Sequence, residues 1–188
     1  MAGRLPGRTG GGDENRLTIW PYDPSPPERS NMHPHLIRRA TLADLTQMNR
    51  VAFESKAHWA YTIRQLEAWR DDLMTPSHTL ASHPTFVAEV GGRVVGFVQL
   101  DPCASPWSLA SLWVLPECMG RGLGKALLGR ALDIARAAGQ TDIAIDADPN
   151  ALGFYQSFGA RRQSVVSAPI EGQPERVRPQ LLLATSQA

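Results

Sequence analysis

No stretch constrains the chain more than Leu109 to Ala138, which reads L-A-S-L-W-V-L-P-E-C-M-G-R-G-L-G-K-A-L-L-G-R-A-L-D-I-A-R-A-A. Leu109 to Leu115, with Trp113 and Val114, is an apolar run of strand length, and Pro116, which has no N–H for a sheet ladder, ends it. Gly120, Gly122 and Gly124 then mark a tight turn. Beyond it Leu123, Leu127, Ala131, Ile134 and Ala138 recur at steps of three and four, with Leu128, Leu132 and Ala135 beside them. That spacing predicts a helix with one wide apolar face, stopped at Gly139.

Strand, glycine turn and helix in that order build an anion site. Glycines let successive backbone N–H groups point one way, and the helix N-terminus adds partial positive charge. A phosphate or pyrophosphate is the expected guest, with Arg121 and Lys125 beside the amides either adding charge or simply solvated. A nucleoside triphosphate loop, G-x-x-x-x-G-K-[ST], fails twice: Met119 stands at the first glycine and Ala126 at the magnesium-binding hydroxyl. A dinucleotide fingerprint, G-x-G-x-x-G, meets Lys125 or Leu127 at its last glycine.

Met119-Gly120-Arg121-Gly122-Leu123-Gly124 resembles the phosphate loop [QR]-x-x-G-x-[GA] of the GCN5-related N-acetyltransferases, with Met119 departing from the usual Gln or Arg. Asp148-Pro149-Asn150-Ala151 followed by Gly153-Phe154-Tyr155-Gln156-Ser157-Phe158-Gly159-Ala160 is similar to that family's later motif, although Asn150 lies nearer the Phe-Tyr pair than the commonest spacing has it. The resemblance covers Leu112 to Ala160 and implies an α/β fold with a mixed sheet, antiparallel at its start and parallel at its fourth and fifth strands, flanked by helices. It implies acetyl-coenzyme A as co-substrate, with Met119, Gly120, Arg121, Gly122, Leu123, Gly124 and Lys125 on its phosphates and Asn150 nearby. The pantetheine arm would pair with the strand at Trp113, Val114 and Leu115, in the gap where the two parallel strands splay. Tyr155 would be the general acid for the departing thiolate.

Composition sets the remaining bounds. The chain has 188 residues, 43% of them hydrophobic, which suits one α/β domain over 34–188. Residues 1–33, rich in Gly and Pro, read as a flexible or docked tail, with Leu17-Thr18-Ile19-Trp20 as its one apolar run. The net charge of +1 supplies no field for nucleic acid or an acidic membrane. Cys103 and Cys118 are too few for a disulfide framework, and the absence of a membrane-length apolar run or a secretory leader points to the cytoplasm. Cys118 sits in the loop, but no His is near it in sequence to activate a thiol nucleophile.

His35 to Ala40 reads as a first strand, and Thr41 with Asp44 as the capped start of a helix bearing Leu45, Met48, Ala52 and Phe53 inward. Ser55 to Tyr61 breaks that helix, and Thr62 with Gln65 starts a second one running to about Met74. In this family the joining segment commonly lines the acceptor side of the cleft, so His58, Trp59 and Tyr61 are the acceptor candidates; Trp59 and Tyr61 equally suit a plug between helices. Thr85 to Val90 and Arg93 to Leu100 flank Gly91-Gly92 as a hairpin. Thr141 to Ala147 follows as a parallel fifth strand, and Val165 to Ala168 and Pro179 to Ala184 form a last hairpin around Gly172 to Arg178.

The carboxylates Asp142, Asp146 and Asp148 are read as solvated strand-end groups without a metal. The expected activity is acetyl transfer to a primary amine on a small molecule or peptide by direct attack in a ternary complex. The base is open among Glu89, Asp146 and a water chain. The alternative is a non-catalytic acyl-coenzyme A sensor or regulatory module, favoured by Met119 and opposed by Tyr155. The apolar final strands and the Trp20 segment suggest a homodimer.

Overall fold

The computed structural model describes residues 35–186; the tail and its Trp20 segment lie outside them. The strands are β1 (Leu36–Arg39), β2 (Thr85–Val90), β3 (Arg93–Asp101), β4 (Ser108–Val114), β5 (Asp142–Asp146), β6 (Arg161–Ser167) and β7 (Val177–Ala184). The helices are α1 (Leu45–Ala57), α2 (Ile63–Ala68), α3 (Arg70–Leu73), α4 (Thr79–Ser82), α5 (Leu123–Ala137) and α6 (Leu152–Gln156). One 7-stranded sheet has the order β1-β2-β3-β4-β5-β7-β6.

β1 to β4 pair antiparallel, and the β2–β3 hairpin turns on Gly91 and Gly92 at φ 57° and 79°, the left-handed pair that a two-residue turn matched to strand twist requires. β3 is buried at every residue from Val94 to Leu100, and alternating side chains make that possible only where both sheet faces are covered. The cover comes from α1 through Met48, Val51 and Ala52, and from α5 through Leu127, Leu128 and Leu132. Each of these Met, Val and Leu side chains contributes about 1.5–3 kcal/mol by leaving water.

In the last hairpin the chain-terminal strand takes the inner place. β7 buries Pro179, Leu181 and Leu183 on alternate positions and pairs antiparallel with β5, whereas β6 is exposed throughout and forms the edge. The apolar alternation belongs to β7, so β7 docks against the core.

Two helical expectations need correction. α1 does not break at Ser55; it continues to Ala57 because Ser55 and Lys56 extend the inward face set by Met48, Val51 and Ala52 at steps of three and four. It is also preceded by a 3-10 turn, Leu42–Asp44, in which Asp44 accepts from Thr41 N–H at 2.8 Å and from both Arg38 terminal nitrogens at 2.8 and 2.7 Å. The second helix starts on the Thr62–Gln65 capping box as expected, but it ends at Ala68 and a separate turn, α3, follows Trp69.

Candidate active site

β4 and β5 run parallel, yet only Ser108 and Ala144 stand in register, held by Ala144 N–H donating to the Trp107 carbonyl at 2.8 Å. Beyond that point the strands separate. The gap is a cleft of about 450 Å³ whose walls are Leu109 to Val114 on one side, Ile145 and Asp146 on the other, with the glycine loop and α6 closing it.

The loop is built as its glycines require. Gly120 and Gly122 sit at φ 71° and 80°, a region side chains rarely adopt, and Gly122 is the residue before the first turn of α5. Ala126 N–H is the first to bond within the helix, to Gly122 C=O at 3.0 Å, so the N–H groups of Leu123, Gly124 and Lys125 have no intrahelical acceptor. A Cβ on Gly124 would lie 3.3 Å from the Phe154 ring, which brings α6 up against the start of α5.

The expected site residues are not equally placed. Trp113, Val114, Met119, Gly120, Gly122, Gly124, Lys125 and Asn150 line the cleft, whereas Arg121 and the buried Leu123 side chain do not. The Met119 N–H is taken by Pro116 C=O at 3.1 Å, so Met119 offers its side chain and not its amide. Leu115 is a correction: its N–H bonds Val95 C=O at 2.8 Å, its carbonyl accepts from Cys118 N–H at 2.9 Å, and its side chain is fully buried. No polar group of Leu115 is left for a ligand. Because strand polar groups alternate in direction, those of Leu112 and Val114 face the gap instead. The Val114 carbonyl there accepts from Ser55 Oγ at 2.9 Å, a partner that the expected helix break at Ser55 concealed.

Tyr155 on α6 is buried against the core at 7% exposure and lines the cleft, and its hydroxyl hydrogen-bonds to no described residue. Burial first, and the charge of Asp148 second, push its pKa well above the usual phenol range, so at neutral pH it carries its proton. Burial also raises the Cys118 thiol, with Glu117 adding to it, which keeps that sulfur protonated.

The acceptor candidates divide. Trp59 lines the cleft, and Tyr61 lines an adjoining cavity of about 320 Å³ together with Ala60, Pro149, Asn150, Gln173 and Arg176. Exposed His58 stacks edge-on against Trp59 at 5.3 Å and lines neither space.

Between the two spaces lies the group least legible beforehand. Asp148 follows β5 instead of ending it, and it is not a solvated carboxylate. Its oxygens accept from Lys56 Nζ, from Tyr61 Oη at 2.9 and 3.1 Å, from Asn150 N–H at 2.9 Å and from Asn150 Nδ2 at 3.0 Å. Burial alone would raise its pKa; the hydrogen bonds from Lys56, the Asn150 amide and Tyr61 outweigh that and hold it below the usual carboxylate range. Lys56 is buried and lies 4.6 Å from the Tyr61 ring centroid and 4.7 Å from that of Trp69. Burial lowers its pKa, and Arg176 and Arg178 add repulsion, against the opposing pull of Asp148. A helical reading carried past Phe53 would have turned Ser55 and Lys56 inward; nothing local marks Arg176.

Glu89 is set apart from the cleft by its bond to Arg38 at 2.9 Å, whereas Asp146 lines it, paired with Arg178 at 2.9 Å. His83, Asp101 and Cys103 bring one ligand atom each within 4.8 Å of one another, but none of them lines the cleft.

Splayed parallel strands in one mixed sheet, a glycine loop opening a long helix and a buried tyrosine lining the gap define the class of fold. Residues 42–160 match the Acetyltransferase (GNAT) family, and the chain belongs to it. A rat protein, N-acetyltransferase family 8 member 2, is 33% identical over 111 residues, 54% of this chain and 49% of its own length. The chain thus spans about half the length of that curated relative. Among solved structures, a GCN5-related N-acetyltransferase from Rhodopseudomonas palustris superposes with a TM-score of 0.67 at 23% identity, covering 79% of this chain and 94% of that one. The PaiA N-acetyltransferase from Thermoplasma acidophilum, in complex with coenzyme A, gives 0.64 at 18% identity, covering 80% and 98%. These likenesses establish the fold. No helix among the described residues is long and apolar enough to cross a membrane.

Proposed function

We propose that the chain is an acetyl-coenzyme A dependent N-acetyltransferase that moves the acetyl group to a primary amine by direct attack in a ternary complex. One observation supports this reading: the gap between β4 and β5 is also lined by the glycine loop, whose first helical amides have no intrahelical acceptor, and by Tyr155. The residues fit the co-substrate. Unpaired N–H groups of Leu123, Gly124 and Lys125, with the Lys125 charge, suit the pyrophosphate, and about 450 Å³ falls within the range of ligand clefts, about 300–1,000 Å³. The β4 polar groups at Leu112 and the N–H of Val114, whose carbonyl is held by Ser55, suit the amides of the pantetheine arm.

The chemistry then follows from the proton inventory. An alkyl ammonium has a pKa near about 10, so the acceptor must lose a proton before its nitrogen attacks the thioester carbon. As the C–S bond breaks, the thiolate takes a proton, and Tyr155 is the phenol in the cleft wall that carries one at neutral pH. Among the carboxylates first considered as bases, Asp146 is the one in the cleft wall.

The test combines calorimetry with coenzyme A and a thiol-release assay over a panel of amines. Tight binding, turnover of at least one amine, and a kcat lowered by about 10²- to 10⁴-fold in Tyr155→Phe with binding within a few-fold are expected. Absent binding overturns the reading. Binding without turnover of any amine assigns the chain to the sensor alternative that Met119 suggests.

A further inference from the structure

The cavity beside the cleft carries charge that the protein does not neutralise. Arg176 is its sole charged wall residue, with only 8% of its side chain exposed, and no carboxylate lines the cavity. The nearest carboxylate, Asp148, is occupied by Lys56, Tyr61 and Asn150; Arg176 Nη2 reaches it only at 3.5 Å. The other bonds of the guanidinium are Nη1 to the Ala168 carbonyl at 3.1 Å and Nη2 to Tyr61 Oη at 3.3 Å, and Nε bonds no described residue. Two buried cations, Lys56 and Arg176, therefore share one carboxylate. Of the other acids in this region, Asp146 pairs with Arg178 at 2.9 Å and Glu171 with Arg64 at 3.7 Å, and Glu175, next to Arg176 in sequence, is exposed and does not line the cavity.

A buried guanidinium short of acceptors is a receptor for a planar anion, since its fixed fork of donors matches a carboxylate. A second ammonium placed there would meet Arg176 without a counter-charge. Resting on the acetyltransferase reading, we infer that the acceptor is an amine whose molecule also carries a carboxylate, received by Arg176 with Tyr61 and Asn150 beside it, and that polyamines are excluded. The volume of about 320 Å³ suits a free amino acid. The same carboxylate chemistry is offered by the end of a short peptide.

The experiment uses the full chain, acetyl-coenzyme A and four matched sets of acceptors: free L-amino acids, their carboxamides, tetrapeptides ending in the same residues, and linear diamines. At least one amino acid is expected to exceed its own carboxamide tenfold or more in kcat/KM. Arg176→Gln should reduce that ratio to within threefold while coenzyme A affinity is retained, and Arg176→Lys should keep part of it. Tetrapeptides outrunning the free amino acids would assign the carboxylate to a peptide and support the same recognition. Carboxamides or diamines used as well as the acids, a preference that survives Arg176→Gln, or turnover of other amines with no amino acid or tetrapeptide accepted would each overturn this inference alone. Loss of coenzyme A binding in the wild type would instead overturn the acetyltransferase reading beneath it. If Arg176→Gln fails to fold, the acid-to-carboxamide ratio of the wild type decides by itself.

Discussion

Replacing Asp148 with Asn removes the one negative charge between Lys56 and Arg176, and the cost can be bounded from the structure. The side chains of Lys56 and Asp148 are 10% and 16% exposed, so water screens the pair poorly. Breaking a buried ion pair by removing one partner costs about 3–5 kcal/mol. An upper limit comes from Lys56 itself, which can shed its proton. At about 1.36 kcal/mol per pH unit, neutralising it at pH 7 from its ordinary value of 10.5 costs roughly 5 kcal/mol. Arg176 has no such escape. The asparagine oxygen still accepts some of the bonds, so a loss of about 3 kcal/mol is expected, a fall in Tm of roughly 6–12 °C for a domain of this size.

The pH dependence has a definite sign. A lysine whose folded pKa is depressed binds less proton folded than unfolded between its folded value and 10.5, so stability rises with pH through that window. Without Asp148 the depression deepens and the rise steepens. The deficit of Asp148→Asn, measured by urea denaturation, should therefore narrow from pH 7 to pH 9.5. A loss under about 1 kcal/mol at pH 7, or a deficit that widens at pH 9.5, would refute the shared-carboxylate argument.

Other outcomes test the remaining links. Gly122→Val and Gly124→Val should each weaken coenzyme A binding at least tenfold, about 1.4 kcal/mol, by calorimetry, the first through the φ of 80° and the second through the contact with Phe154; wild-type affinity in both would sink the phosphate-loop assignment. Met119→Gln should bind no worse than wild type, because the Met119 amide is already held by Pro116; a marked loss would mean that its thioether contacts the ligand. Asp44→Asn should lower stability by about 1–2 kcal/mol, a figure discounted because Arg38 is about one-third exposed. The hydrogen bond from Arg38 holds the Asp44 pKa far below normal, so its contribution is present above the ordinary carboxylate range and is lost as pH falls through the depressed folded value; acid unfolding of the variant should be correspondingly flatter. β6 exposes Val165 and Val166 at 48% and 43% on the sheet edge, and a dimeric mass by light scattering is expected; a monomer at micromolar concentration would remove that edge as an interface.

What the chain reveals by itself is what local periodicity and stereochemistry determine. A glycine-rich turn between an apolar strand and an amphipathic helix has few conformations open to it, so the loop, α5 and the β2–β3 hairpin are legible from Gly91, Gly92, Gly120, Gly122 and the Leu123 to Ala135 spacing. The place of Tyr155 in the cleft wall is legible as well, because it lies within a short motif. The tertiary structure decided the rest. Which of the last two strands lies inward depends on packing against β5, and whether Leu115 is free for a ligand depends on Val95, a residue of another strand. Above all, Lys56 and Asp148 meet across a separation of 92 positions, and Arg176 joins them from the loop between β6 and β7. Charge pairing of this kind is set by distance in space and by exclusion of water, and neither leaves a periodic trace in the order of residues.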